Sequence, residues 1–441
     1  MTAEQLAGEV VGRLRTAGHQ AWLVGGCVRD LLLGRRPKDY DVATDARPER
    51  VAALFGKSEQ VGAHFGVMLV RDNAAQVEVA TFRSDFTYSD GRRPDAVHFE
   101  SDPRQDVLRR DFTINALLLD PASGEVLDYV GGRADLAAGV IRAIGEPAVR
   151  FGEDHLRLLR AVRFAARLDF VIEPETLAAI RRLHPLIRKV AAERVRDELV
   201  CILTEGGARR GFEMLDGTGL LAEILPEVAA MKGVAQPPEF HPEGDVWIHT
   251  LLLLEYLRNP TITVALGALL HDVGKPSTFR VAGRIRFDGH VEAGVALSRE
   301  ILRRLRFSSQ QIERVAALVA NHMRFKDANR MRESTWKRFL RLPHFEEHLE
   351  LHRLDCLASH GRLDTYELVR ARFAELSAQE LKPKPLLTGA DLIAAGYQPG
   401  PAFARMLAAA EDAQLESRVR TPEEALDLVR REFGEPSRAC N

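Results

Sequence analysis

Two aspartates one residue apart, Asp39 and Asp41, follow a glycine pair, Gly25-Gly26, in the stretch LVGGCVRDLLLGRRPKDYDVAT at residues 23–44. The run Asp-Tyr-Asp-Val alternates polar and apolar residues, the period of a half-buried strand. Both carboxylates are therefore expected on one face of that strand. Negative groups held side by side repel, and a cation relieves them. Mg²⁺ fits, because a hard ion takes oxygen ligands and shares them with phosphates. Upstream, Leu23-Val24 reads as a strand end, the glycines as a turn and Val28–Leu33 as the start of a helix. Backbone N–H groups there would face an anion such as a triphosphate, with Arg29 adding a charge-assisted contact.

A second constellation lies in the other half of the chain. His249, the pair His271-Asp272, His290, His322 and Asp355 combine imidazoles with carboxylates, the donor types of a transition-metal or mixed dinuclear centre. His271 and Asp272 end an apolar run that should bury them, and buried polar side chains need partners. Lys275 stands close enough in sequence to steady a phosphate.

The elements that must position these residues change character along the chain. Residues 21–130 mix short strand-like runs (Val67–Val70, Val77–Thr81, Leu117–Leu119) with turn signals, a mixed α/β pattern. From about Ile141 nearly every strong segment is helical, beginning with EDHLRLLRAVRFAARL at 153–168. The Pro- and Gly-rich stretch 232–245 reads as a linker, and KPKPLL at 382–387 as a second break. The fold class expected is α+β: a nucleotide-handling mixed head over 1–139, a helical neck over 140–231, a helical domain over 245–378 and a helical tail over 386–441.

Composition bounds the partners. A chain of 441 residues is long for one domain, and length alone indicates roughly three. Apolar residues make up 46% and charged residues 28%, the balance of a soluble globular protein. With 61 Lys+Arg against 63 Asp+Glu, a nucleic acid would have to be held by local patches. One such surplus lies at 139–210, with 14 Lys+Arg against 10 Asp+Glu. The four cysteines are scattered without a Cys-x-x-Cys pair, which indicates neither a disulfide framework nor a zinc knuckle and fits reduced, cytoplasmic thiols. No run is long enough to span a bilayer, so no membrane partner is expected. None of these features sets the oligomeric state.

The Gly-Gly and Asp-x-Asp stretch resembles the nucleotidyltransferase signature of the DNA polymerase β superfamily. With TFRSDFTYSDGRRPDAVHFESD (81–102), RRDFTINAL (109–117), LDYVGGRADL (127–136), the 153–168 segment and AERVRDEL (192–199), the chain resembles the class II tRNA nucleotidyltransferase and bacterial poly(A) polymerase family. The resemblance implies addition of C, C and A to tRNA 3′ ends from CTP and ATP with Mg²⁺. Rivals are an enzyme adding only A and a poly(A) polymerase. The segment 84–95 argues against a CC-only enzyme, since the resemblance implies that those have lost it. Asp39 and Asp41 would be metal ligands. Glu78 is either a third carboxylate or a strand-surface glutamate. Gly25, Gly26, Arg29, Arg110, Asp111, Asn115, Arg160 and Arg163 match positions that hold the nucleotide.

Without a template, base choice falls to side chains. Asp154 and Arg157, three apart on an expected helix, share a face. An aspartate accepts hydrogen bonds where an arginine only donates them. Cytosine and adenine each offer an amino donor beside a ring-nitrogen acceptor, and uracil and guanine reverse that pattern. A plain i,i+3 ion pair is the alternative. The histidine and aspartate set resembles the HD phosphohydrolase superfamily, which implies hydrolysis of phosphate esters with a divalent transition metal.

Overall fold

The computed structural model describes residues 1–60, 66–86, 91, 96–239, 241–376 and 381–436. Much of the 84–95 segment, namely 87–90 and 92–95, lies outside them, as do 437–441 of the tail. The chain splits into two compact units: residues 1–232 with 257–262 and 300–308, and residues 233–256, 263–299 and 309 onward. The segments read as head and neck share the first unit.

The strands of the first unit are β1 (Ala21–Val24), β2 (Asp41–Thr44), β3 (Ser58–Gln60), β4 (Val67–Asp72), β5 (Ala75–Thr81), β6 (Arg83–Phe86), β7 (Ala96–Phe99), β8 (Leu118–Leu119) and β9 (Val126–Leu127). Seven of them form one sheet in the order β3-β4-β5-β2-β1-β8-β9, and β6 and β7 pair separately. A helix, Ala3–Thr16, packs against β1 and β5. Thr2 and Gln5 close a capping box at its start, and Leu6, Ala7, Val10, Val11 and Leu14 bury one stripe. In β5 the alternation is strict: Val77, Val79 and Thr81 are buried, while Gln76 and Glu78 leave by the opposite, open face.

Beyond the sheet the unit is helical. The segment 153–168 is not one helix, however. Pro147–Glu153 ends at Asp154, whose extended backbone (φ −139°, ψ 106°) breaks the run, and a new helix spans Arg157–Leu168. The first packs against Pro174–Leu183 and the second against Ala192–Thr204, with Leu158, Leu159, Val162 and Leu199 buried.

Helices lying wholly or mostly in the second unit include Val246–Glu255, Ile262–Leu270, His290–Arg304, Ser309–Asn321 and Phe345–Ala358. Asp245 caps the first by accepting from Ile248 N–H. Ile262–Leu270 is apolar on every side and buried from Thr263 onward, so it forms a core helix. Two further apolar clusters lie around Phe325, Phe339 and Phe345, and around Leu392, Ala413 and Val429 of the tail.

Candidate nucleotidyl-transfer and metal centres

Strand β2 begins at Asp41, not at Asp39, which sits exposed in the bend before it. The two carboxylates are therefore not aligned by one strand's period as expected from the sequence. Parallel pairing instead sets Asp41 beside Glu78 and Val42 beside Val79. The valines are buried, so Asp41 and Glu78 leave the other face together. Burial, then the charge of Glu78, with Asp39 adding and Arg110 opposing, pushes the Asp41 carboxyl up to about 6. Three mutually repelling carboxylates made of hard oxygens fit a divalent cation.

Gly25 follows β1 with φ 80° and ψ −139°, a conformation open only to glycine without strain. A Cβ there would stand 3.4 Å from Asp41 Oδ2 and 3.5 Å from Arg110 Nη1. The bare backbone thus leaves room between anion and cation. Gly26 opens the helix Gly26–Leu32. Arg110 gives Nε and Nη2 to Asp106 Oδ2, at 3.3 and 2.9 Å, which leaves Nη1 toward the carboxylates. Asp106 is fully buried and also takes Arg109; burial raises its carboxyl, and the two arginines outweigh that and lower it.

Arg29 points at a carboxylate of the fold. It is buried, donating to Asp30 Oδ1 at 2.8 Å and to Asn115 Oδ1 at 2.8 Å. Asn115 in turn donates to Asp111 Oδ1 at 3.2 Å, and Asp111 Oδ2 accepts from Arg160 Nε at 2.8 Å. Arg163 pairs with Glu198 at 2.8 Å. Guanidinium carbons of Arg29, Arg160 and Arg163 lie 5.1, 5.2 and 4.4 Å from the centre of the Phe164 ring, a ring face that attracts cations. Five of the residues matched to nucleotide binding are therefore one network. Phe164 and Glu198, inside the 153–168 and 192–199 segments but not among the candidate residues, tie it together.

Burial raises the Asp111 carboxyl, but the charges of Arg160 and Arg157 and hydrogen bonds from Arg160 and Asn115 win and hold it at about 2. Its stabilising contribution is present above the ordinary 3.8 and is lost as pH falls toward 2. Asp111→Ala should cost about 3 kcal/mol at pH 7, because it strands Arg160 and Asn115. Urea midpoints at pH 7 and pH 3 check this: the gap between parent and variant should shrink at the lower pH.

Asp154 and Arg157 are not brought onto one helical face. Asp154 accepts from both Arg194 nitrogens, at 3.1 and 2.8 Å. Arg157 donates to Glu153 at 2.6 Å and to the Arg109 and Arg150 carbonyls, both at 3.0 Å. The basic surplus at 139–210 is largely spent inside the fold in the same way: Arg142, Arg150, Arg167, Arg196 and Arg210 are all in ion pairs. Arg182 and Lys189 form none among the described residues.

The second unit gathers all six sequence candidates. His271 Nε2 lies 3.3 Å from His249 Nε2 and 3.2 Å from Asp272 Oδ2. His249 Nε2 lies 3.1 Å from Asp355 Oδ1. Asp272 Oδ1 faces His322 and His290 Nε2 at 3.9 and 4.0 Å. Ligand atoms fall into the sets His249–His271–Asp355 and Asp272–His290–His322. The Nδ1 atoms of His271, His290 and His322 contact the carbonyls of Ala268, Phe287 and Val319 at 3.0, 2.8 and 2.7 Å, which fixes each ring with Nε2 inward. The Nε2 atoms of His290 and His322 are buried without a partner. Orphaned imidazole nitrogens beside carboxylates fit a metal ion.

The stretch 232–245, read as a linker, contributes to this centre. Glu243 Oε1 lies 2.6 Å from His249 Nδ1 and 2.9 Å from His241 Nδ1. Lys275 Nζ bonds Asp272 Oδ2 at 2.7 Å and also Gln236 Oε1. Histidine and glutamate adjacent to prolines were the available signal; their density of Pro and Gly obscured it.

Sheet, carboxylates and the helical cluster of histidines and aspartates together have the layout of a polymerase β-type head followed by an HD-type domain. The comparisons agree. Family models described as "Poly A polymerase head domain", "Probable RNA and SrmB- binding site of polymerase A" and "HD domain" match residues 21–142, 169–232 and 245–360. Matches to those three models thus follow one another along the chain, in the order head, RNA-binding segment and HD domain.

Similar proteins include the CCA-adding enzyme of Levilactobacillus brevis, 44% identical over 52% of this chain and 57% of that protein. That of Enterococcus faecalis is 47% identical over 45% and 48%. The matches thus span about half to two thirds of the curated relatives' length. Among solved structures, the Bacillus stearothermophilus CCA-adding enzyme in complex with CTP superposes with TM-score 0.75 at 29% identity, covering 98% of each chain. The Thermotoga maritima CCA-adding enzyme complexed with tRNA CCA shares the fold, with TM-score 0.61 at 20% identity over 97% of this chain and 95% of that one.

Proposed function

We propose that this chain adds C, C and A to the 3′ end of tRNA, taking CTP and ATP and working with Mg²⁺ in the cytoplasm. The observation that carries this reading is the register of Asp41 on Glu78 next to Gly25 and Arg110. Support comes from the likeness to a CCA-adding enzyme in complex with CTP over nearly the whole chain. Three described cysteines are free, which suits a reducing compartment. No helix among the described residues is long and apolar enough to cross a membrane.

Asp39, Asp41 and Glu78 would hold the metal ions, which when bound neutralise charge at the attacking 3′-hydroxyl and at the departing pyrophosphate. Arg110 Nη1 donates to the triphosphate across the space that Gly25 leaves. The Arg29–Asn115–Asp111–Arg160 network holds Asp111 and Asn115 rigid beneath the ribose and phosphates, and rigidity is what a positioning site needs.

Base choice works by exchange of partners. Asp154 trades the donors of Arg194 for the amino group of cytosine or adenine, and Arg157 supplies the complementary donor. Asp154→Ala should therefore lose discrimination: UTP and GTP incorporation, relative to CTP and ATP, should rise roughly 10²-fold, the scale of an unpaired polar group in a reading site. Single-nucleotide incorporation with each labelled triphosphate measures it.

The whole reading is tested with tRNA lacking its terminal nucleotides. C, C and then A followed by arrest supports it; A alone marks an A-adding enzyme, and long A tails mark a poly(A) polymerase.

The HD centre supports a second activity, hydrolysis of phosphate esters with a divalent transition metal held by His249, His271, Asp272, His290, His322 and Asp355. When bound, the metal lowers the pKa of a water that attacks phosphorus. Lys275, fixed by Asp272 and Gln236, steadies the phosphate.

A further inference from the structure

Between Lys275 and His290 the chain forms a hairpin, Arg280–Ala282 against Arg284–Arg286, turned at Gly283 (φ 69°). Its register pairs Arg280 with Arg286, Val281 with Ile285 and Ala282 with Arg284. Arg280, Arg284 and Arg286 thus share one face, and Val281 and Ile285 the other. All three arginines are exposed, and none of them pairs with an acidic group among the described residues. Arg280 directly across from Arg286 places like charges opposite each other, which costs stability unless an anion comes between them.

The foot of the hairpin is joined to the metal centre. Phe279 and Phe287, just outside its two ends, have ring centres 5.9 Å apart. Lys275 Nζ stands 5.2 Å from the Phe287 ring, and that ring lies 6.5 Å from the His290 imidazole. Phe279 is 39% and Val281 70% exposed, unusual for such side chains so near a buried polar cluster. Beside Lys275, Gln236 is 1% exposed and its Nε2 has no partner.

We propose that this hairpin is a platform for single-stranded RNA, which delivers a 3′ terminus bearing a phosphate to the HD centre. It rests on the hydrolase reading of that centre. A small nucleotide would need one cation, whereas Arg284 and Arg286 stand about 6.5 Å apart along one strand, the scale of one phosphate repeat along a chain, with Arg280 beside Arg286 on the other strand. Exposed Phe279 offers a ring for a base to stack on, and cations beside an aromatic are how single strands are held without sequence reading. The terminal phosphate then meets Lys275 and the free Gln236 amide. Water attacks phosphorus, the bond from phosphorus to the ribose oxygen breaks, and inorganic phosphate and a free hydroxyl result, the latter taking the proton.

The experiment uses the full chain and the combined variant Arg280→Ala, Arg284→Ala, Arg286→Ala. A 3′-phosphorylated single-stranded oligoribonucleotide and a nucleoside 3′-monophosphate are compared as substrates with Mn²⁺. The variant should raise KM for the oligonucleotide at least about tenfold at low salt and flatten its log–log salt slope by about 2, from roughly 0.7 per phosphate contact. Its kcat, and both constants for the monophosphate, should stay as in the parent. Equal KM values for the oligonucleotide overturn the platform.

Ultraviolet cross-linking of the same oligonucleotide, mapped by mass spectrometry, reads the surface without hydrolysis. A cross-link within residues 276–289 that the variant loses supports the platform, even where neither protein hydrolyses either substrate and the hydrolase reading fails. Absence of that cross-link in the parent overturns it.

Discussion

Asp41→Asn should lower nucleotide transfer by roughly 10³-fold or more while making the protein harder to unfold at neutral pH. The loss follows from removing the carboxylate at the centre of the set with Asp39 and Glu78, on which charge neutralisation of the transferring phosphate depends. The gain follows from the position of its pKa. Burial and the charge of Glu78 raise the Asp41 carboxyl from 3.8 to about 6, with Asp39 adding and Arg110 opposing. A folded-state value above the unfolded one means that the group's contribution is full below pH 3.8 and is lost as pH climbs through about 6. At pH 7.5 the ionised carboxylate is a burden, which an amide of the same shape lifts. The relief amounts to about 2 kcal/mol once solvent screening is allowed for, read as a rise of a few degrees in Tm. At pH 5 the rise should shrink. Mg²⁺ should raise the Tm of the parent and leave that of the variant nearly unchanged. Undiminished transfer by the variant would remove Asp41 from the chemistry. A lower Tm than the parent at pH 7.5 would contradict the repulsion among the three carboxylates. The trade is one in which a site spends stability on function.

What the sequence made legible divides by distance along the chain. The Gly25-Gly26 turn and strand β5 were readable because each depends on neighbours within a few residues: a turn needs glycine, and alternation marks a half-buried strand. Asp39 was misplaced because the polar–apolar alternation runs on past the point where pairing stops; β2 hydrogen-bonds to β1 only from Asp41 onward. Asp154 and Arg157 looked like one helical face because Leu156, Leu158 and Leu159 keep an inward period across the break. The partner that holds Asp154, Arg194, lies 40 residues further on. Nothing local reports a contact of that kind. Likewise the Pro and Gly of 232–245 foretold the lack of regular structure there, but where the irregular backbone delivers Gln236, His241 and Glu243 depends on the helices it crosses. The metal ligands were easier, since His271-Asp272 follows an apolar helix that must be buried, and burial forces polar groups to meet.

Adding Mn²⁺ to protein treated with a chelator should release at least one proton per HD centre at pH 7.5, and its affinity should climb at least about tenfold per pH unit up to about pH 9. One proton comes from His249. Burial acts against a charged imidazole there, but Asp355 on Nε2 and Glu243 on Nδ1 outweigh it and raise its pKa to about 9. Metal binding needs that nitrogen neutral, so the ion must displace the proton. His322, lowered to about 4 by burial and then by the charge of His271, and His290, lowered chiefly by burial, are already neutral and release none. Asp272 and Asp355 are ionised at this pH, because the neighbouring histidines outweigh the burial that would raise them. The sign for stability is opposite to that of a depressed carboxylate. Cationic His249 contributes fully below pH 6.5, and the contribution is lost as pH rises through about 9. The metal-free protein should therefore lose Tm across that window, and Mn²⁺ should recover more of it at pH 9 than at pH 6. Asp272→Ala, which removes the carboxylate lying within 4.0 Å of all four histidines, should weaken Mn²⁺ binding by at least about 10²-fold with nucleotide transfer unchanged. A pH indicator in weak buffer, titrated with the metal, gives the proton count directly. Uptake with no proton released, or an affinity that is flat from pH 6 to 9, would mean that His249 is neutral beforehand and that the Glu243–His249–Asp355 bridge carries no charge.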